Sequence, residues 1–167
     1  MNMNEEFIEC PCCGKKVPAN DVELTFKRPD EIAAMSEEDI NEFCLYNKEI
    51  YNYRNEKHYI RSLLPLPVVE KEDRYCLGVW VYVSKNDYQT IYDTWEEQDL
   101  THMAPIQCTL ANDIPLHENT NGLEIELQLM GKTRPEVIIK DSSSSLYAEQ
   151  RKGITIHRAS EYSDICR

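Results

Sequence analysis

Three of the seven cysteines fall in one short run, Cys10-Pro11-Cys12-Cys13-Gly14-Lys15-Lys16. A C-x-x-C spacing followed at once by glycine resembles a zinc knuckle. Two thiolates reach one ion across a tight turn, and the glycine takes the positive φ that the turn requires. Lys15 and Lys16 offset part of the negative charge of such a site. A redox C-x-x-C is the rival reading. It sets its first cysteine at a helix N-terminus to lower the thiol pKa, whereas Gly14 and Pro18 so close together are poor helix formers. Inert thiols in a turn are the third reading. A structural zinc takes four ligands, and no second C-x-x-C exists. The pool for the remainder is Cys44, Cys76, Cys108, Cys166, His58, His102, His117 and His157. Cys44, at the end of a short helix in the same third of the chain, is the first choice. The expected site is therefore a structural zinc on Cys10, Cys13 and Cys44. Cys76 sits in a strand pattern and reads as core.

Other chemistry is sparse. G-x-S-x-G, P-loop, G-x-G-x-x-G and H-E-x-x-H motifs are all absent, and five glycines leave little material for a phosphate cradle. His102 and His117 flank a strand pattern at 105–110 and could converge with a cysteine, but nothing in their spacing requires it. Arg61, Arg134 and Arg151 form a candidate set for an anionic ligand, with pairing to nearby carboxylates as the plain alternative.

The 167 residues carry 18 basic and 30 acidic side chains, a formal charge of −12. Too few cations are present for nucleic acid or an anionic membrane, whose affinity comes from Lys and Arg near phosphates. No apolar run approaches the ~20 residues of a transmembrane helix. The acidic start, Asn4-Glu5-Glu6, is not that of a secretory signal. A cytoplasmic protein with reduced thiols is expected.

The elements that must position these residues follow from periodicity. Residues 7–17 read as a hairpin-like turn around the cysteines. Ser36 caps a short helix with Ile40, Phe43 and Cys44 on one stripe, ending near Asn47. Residues 59–68 are strand-like, although Pro65 and Pro67 hold part of them out of a central ladder. Tyr75 to Ser84 is the clearest strand, buried on both faces, and Gly78 within it marks a bulge or a close backbone approach. A helix from Lys85 to Trp95 docks through Tyr88, Ile91, Tyr92 and Trp95. Strands follow at 105–110, 123–130 and 134–140, the last two joined by a short loop at 131–133. A helix from Leu146 to Lys152 is capped by the 142–145 serine run and ended by Gly153, and a short apolar segment at 154–157 precedes a polar tail. The expected architecture is one α+β domain over 1–167: a cysteine-bearing lobe at 7–47, then an antiparallel sheet with packed helices at 48–167.

Several phrases taken together resemble a known family. They are Cys10-x-x-Cys13-Gly14, Tyr59-Ile60-Arg61, Leu77-Gly78-Val79-Trp80-Val81, Thr133-Arg134-Pro135 and Ala148-Glu149-Gln150-Arg151-Lys152-Gly153-Ile154. Their order is similar to that of the bacterial family called domain of unknown function 2199, over nearly the whole chain. The resemblance implies a bacterial cytoplasmic protein and a cysteine at the place of Cys44, and it brings no function with it. Two departures stand out: Cys76-Leu77 precedes Gly78 where an aromatic is more usual, and the serine run replaces a common His-Pro pair. The reading that follows is a non-enzymatic protein-interaction module with a structural zinc and a basic partner, for example an antitoxin or immunity protein covering a nuclease toxin. The alternative is a small enzyme acting on an anionic substrate through an Arg/His-lined pocket.

Overall fold

Two long strands carry the architecture. The β-branched and aromatic residues of β6 (Arg74–Val83) suit a pleated surface covered on both sides. This strand pairs antiparallel with β5 (Lys57–Pro67) from His58 opposite Val83 to Pro67 opposite Arg74. The computed structural model describes residues 7–10, 14–18 and 22–165. Cys12, Cys13 and Cys166 lie outside these, and with them the second expected knuckle ligand.

The N-terminal hairpin is β1 (Phe7–Glu9) with β2 (Lys16–Pro18). α1 (Asp30–Ala33) and α2 (Glu37–Phe43) follow, the latter capped by Ser36 Oγ on Asp39 N–H at 3.1 Å. α2 stops short of Asn47, because Cys44 opens β3 (Cys44–Tyr46), which pairs with β4 (Ile50–Tyr53). α3 (Lys85–Asp93), capped by Ser84, leads into β7 (Ile106–Leu110), β8 (Glu124–Gln128) and β9 (Glu136–Ile139). α4 (Ser145–Lys152) ends on Gly153 at φ +89, as expected. The residues read as a short apolar segment and polar tail instead form a further helix, α5 (Ile156–Ile165), whose Ile156, Ala159 and Tyr162 are buried. No described helix is long and apolar enough to cross a membrane.

The seven strands from β3 to β9 run in chain order, and the sheet returns on itself where β5 meets β9, so β5–β9 make a five-stranded barrel. This is the α+β single domain expected, with its sheet closed rather than open. The closure explains the prolines. On one side of β5 the backbone first serves β4 as far as Ile60, and Arg61 N–H then reaches Glu49 O at 2.9 Å. Leu63 N–H donates to Pro135 O at 2.9 Å, in the single bridge to β9. The next two residues of that parity are Pro65 and Pro67, which have no N–H to offer, so the ladder ends there while pairing to β6 continues.

One face of the strands, with Ile60, Leu64, Leu77, Val79, Val81, Ile125, Leu127, Val137 and Ile139, forms the larger buried cluster together with Leu146 and Tyr162 of the last two helices. On the other face Tyr51, Tyr59 and Trp80 pack with Ile32, Ile40, Cys44 and Ala111 in a second cluster under α1 and α2. Gly78 is a close approach: a Cβ there would lie 2.8 Å from the Thr25 side chain, where the two backbones bridge.

Candidate binding cleft

The end of α3 does not dock as its stripe predicts. Ile91 is buried, but Tyr92 is 64% and Trp95 45% exposed. The helix terminates at Asp93, so Trp95 falls in the following turn rather than on the stripe. The chain from 94 to 100 runs instead toward the β8–β9 connection. Gly131 there sits at φ +94, and a Cβ on it would come within 2.8 Å of the Gln98 and Asp99 backbone, so only glycine admits the approach. Leu100 N–H donates to Met130 O at 3.1 Å.

Between these segments lies a cleft of about 670 Å³, within the range of small-molecule and peptide sites. Leu63, Ile91, Leu100 and Leu129 supply apolar surface, and Trp95 also lines it. Charged residues are Glu49, Glu96, Glu97, Lys132 and Arg134. Arg134 is held by Glu49 through two hydrogen bonds of 3.0 and 2.9 Å, which raise its pKa above the usual guanidinium value. The pair straddles the place where β4 leaves β5 and β9 arrives.

The three arginines proposed for one anion meet different partners. Arg61 donates to Lys48 O at 3.4 Å and lines a separate depression with Tyr46 and Tyr51. Arg134 is in the cleft, and Arg151 lies 5.0 Å over the Tyr147 ring on α4. Cys10 and Cys44, expected to share a metal, belong to different buried clusters. Cys44 turns into the apolar cluster under α2, where burial pushes its thiol pKa up and so disfavours the thiolate a metal needs. Cys10 Sγ instead lies 3.4 Å from His157 Nδ1. Among the described residues no group of three or more His, Cys, Asp or Glu is gathered for a metal ion.

A polar hub that the sequence reading missed joins the 111–122 loop to α4 and α5. The buried ring of His117 lies 2.5 Å from both Ser145 Oγ and Tyr162 OH. Tyr162 donates to Glu149 Oε1 at 2.6 Å, and Arg158 donates to Glu149 Oε2 at 2.9 and 3.2 Å. Since the tyrosine proton goes to Glu149, a neutral His117 ring donates from Nε2 and accepts the Ser145 hydroxyl proton at Nδ1. Burial alone raises the Glu149 pKa, but hydrogen bonds from His117, Tyr162 and Arg158 outweigh it and hold the carboxyl at about 2. In the sequence Glu149 stands in a motif and as a neighbouring partner for Arg151 or Lys152, whereas its partners here are Arg158, Tyr162 and His117, the last 32 residues away along the chain, a separation no local pattern reports.

Of the quoted motif residues, Arg134 lines the cleft, while Glu149, Gln150 and Gly153 close and cap the α4 region. No curated protein and no solved structure matches the chain. A family model does match, over residues 9–154, and the chain belongs to that family, described as an uncharacterized protein conserved in bacteria (DUF2199).

Proposed function

We propose that this protein is a non-enzymatic interaction module whose cleft between α3 and the β8–β9 connection receives a segment of a basic partner protein. The observation that carries the reading is Trp95, 45% exposed beside a preformed, partly apolar cleft. Exposed tryptophans beside pockets are the residues that dominate binding energy at protein interfaces. Glu96 and Glu97 beside it, and the −12 charge of the chain, favour a cationic partner and speed its approach. Charge alone supports the narrower version, an antitoxin- or immunity-like protein that covers a basic active site.

The test is capture of partners from host lysate on immobilised wild-type protein and on Trp95→Ala, at two salt concentrations. The expected result is a stoichiometric basic protein, released by ~0.5 M salt and weakened at least ~10-fold by Trp95→Ala, the ~1.4 kcal/mol of a modest hot spot. Equal retention by both proteins overturns the use of the cleft.

A second, enzymatic reading rests on one geometry: the exposed Ser145 hydroxyl lies 2.5 Å from His117 Nδ1, with Glu149 on the far side of the ring. That order of groups is the one that activates a serine nucleophile. Labelling by a fluorophosphonate, abolished in Ser145→Ala, would favour it, and an unlabelled folded protein would remove it.

A further inference from the structure

Acidic side chains outnumber basic ones by 30 to 18, yet one depression has Lys27, Lys48 and Arg61 as its charged lining and no carboxylate. It lies between the β3–β4 hairpin and the segment that carries Thr25 and Lys27. The hairpin turn builds one wall. Asn47 Oδ1 accepts the Glu49 and Ile50 N–H groups at 2.7 and 3.0 Å, and Asn47 N–H donates to Ile50 O at 3.0 Å. Lys48 stands exposed at the tip of this braced turn. The other wall is locked to β6, where Phe26 N–H donates to Gly78 O at 2.8 Å and Gly78 N–H to Leu24 O at 2.9 Å.

Arg61 Nη1 donates to Lys48 O at 3.4 Å, which ties the guanidinium to the turn and leaves its other N–H donors for a ligand. None of the three cations forms an ion pair among the described residues. The carboxylates near them are engaged elsewhere: Glu49 by Arg134, and Glu37, which feels the Lys27 charge, by Arg28. Beside the cations stand two tyrosines. Tyr46 and Tyr51 are paired in register across the hairpin, their rings within 3° of parallel and 4.8 Å apart. Tyr51 is buried and held by the Trp80 ring at 5.3 Å and by Arg28 Nε on its hydroxyl at 3.1 Å. Tyr46, braced on this fixed ring, remains 44% exposed and offers flat aromatic surface to the depression.

We propose that this depression binds a nucleoside mono- or diphosphate, with Lys27, Lys48 and Arg61 on the phosphates and Tyr46 stacked on the base. A phosphate monoester carries about two negative charges at pH 7, which the cations neutralise without help from the rest of the chain. The planar fork of Arg61 matches phosphate oxygens, and every base has a π-face for the tyrosine. The volume, about 480 Å³, is that of a small-molecule site. A long nucleic acid does not suit it, because each further phosphate would meet the field of a chain charged −12 rather than another cation. Arg61 thus works with Lys27 and Lys48, not with Arg134 and Arg151. The site is independent of the Trp95 cleft and of any partner there.

Calorimetric titration of the full chain with ADP, GDP, CDP and UDP, and with adenosine and inorganic phosphate separately, tests this. The expected result is a Kd below ~1 mM for at least one nucleotide, at least ~10-fold tighter than for adenosine or phosphate, and weaker as salt rises. Lys48→Ala and Tyr46→Leu, both at exposed positions, should each weaken that binding at least ~5-fold. Lys132→Ala, in the Trp95 cleft, should leave it unchanged. If Tyr46→Leu misfolds, Lys48→Ala and Lys27→Ala decide. The proposal is overturned if no nucleotide binds below ~1 mM, if phosphate alone binds as tightly, or if folded Lys48→Ala keeps full affinity. Tighter binding of a ~10-residue single strand than of any nucleotide also overturns it, in favour of a nucleic-acid site.

Discussion

His58 shows how a single titratable group can set a pH limit. It is 1% exposed, stacks on Tyr88 at 4.5 Å, and meets Asn52 Oδ1 through Nδ1 at 2.8 Å. Asn52 Nδ2 is committed to Tyr88 OH, so its oxygen receives the ring N–H and His58 Nε2 is left with a bare lone pair. That nitrogen has no partner among the described residues. Burial, and then the charge of Lys85, lower the pKa of the ring below 6.5. The unfolded chain therefore takes up the proton first. Stability is complete above pH ~6.5 and falls as the pH drops below it. Urea midpoints measured from pH 7.5 to 5 should fall, and His58→Gln should flatten that slope. Glu149 acts in a lower window. Its folded pKa near 2 lies below the ordinary 4.5, so its stabilisation is present above pH 4.5 and is lost between there and pH 2. Glu149→Gln should cost about 3 kcal/mol at pH 7 in chemical denaturation and remove that acid step. An unchanged midpoint would show that Tyr162, His117 and Arg158 find other partners.

At the scale of elements, the seam between β5 and β9 is held by a side chain where the backbone cannot act. With Pro65 and Pro67 unable to donate, Gln150 on α4 spans the gap. Its Nε2 donates to Pro65 O at 3.3 Å and Val137 O at 2.9 Å, and its Oε1 accepts Ile139 N–H at 2.8 Å. Just beyond, Ile154 N–H reaches Pro67 O at 2.7 Å. The two prolines are thus compatible with a central strand because a helix amide completes the ladder. Gln150→Ala should destabilise the protein by about 2–3 kcal/mol, the cost of leaving buried backbone groups unpaired. The Ile139 amide should then exchange its hydrogen faster than its neighbours on β8. Loss confined to α4 with Ile139 still protected would show that the seam holds without it.

For the whole molecule the decisive quantity is the charge of −12. Exposed pairs such as Arg28–Glu37 and Lys57–Glu31 contribute little each and weaken with salt. The net repulsion weakens too, and over a longer range. Raising ionic strength from ~0.01 to ~0.15 M shortens the screening length from ~30 to ~8 Å. With this excess of like charge, the relief of repulsion should win, and the thermal midpoint should rise with salt. A fall would show that the ion pairs outweigh the net charge. Salt should at the same time weaken capture of a basic partner, so the two measurements move in opposite directions.

Much of this architecture was legible along the chain. The β6 run, the caps at Ser36 and Gly153, and the close approach at Gly78 are local signals: period, cap chemistry and the absence of a Cβ act within a few residues. The family motifs were legible in the same way. Tertiary structure decided what lies across the chain. It parted Cys44 from Cys10 by giving each its own cluster, and it brought His157 to Cys10 from 147 residues away. It set Glu149 beneath His117 and Tyr162, and closed the sheet where two prolines had pointed to an edge. It also left Trp95 beside a cleft, although its spacing matched a buried stripe. Periodicity reports which face of an element is apolar, but which elements meet is settled by the packing of the whole core and the pairing of its buried polar groups.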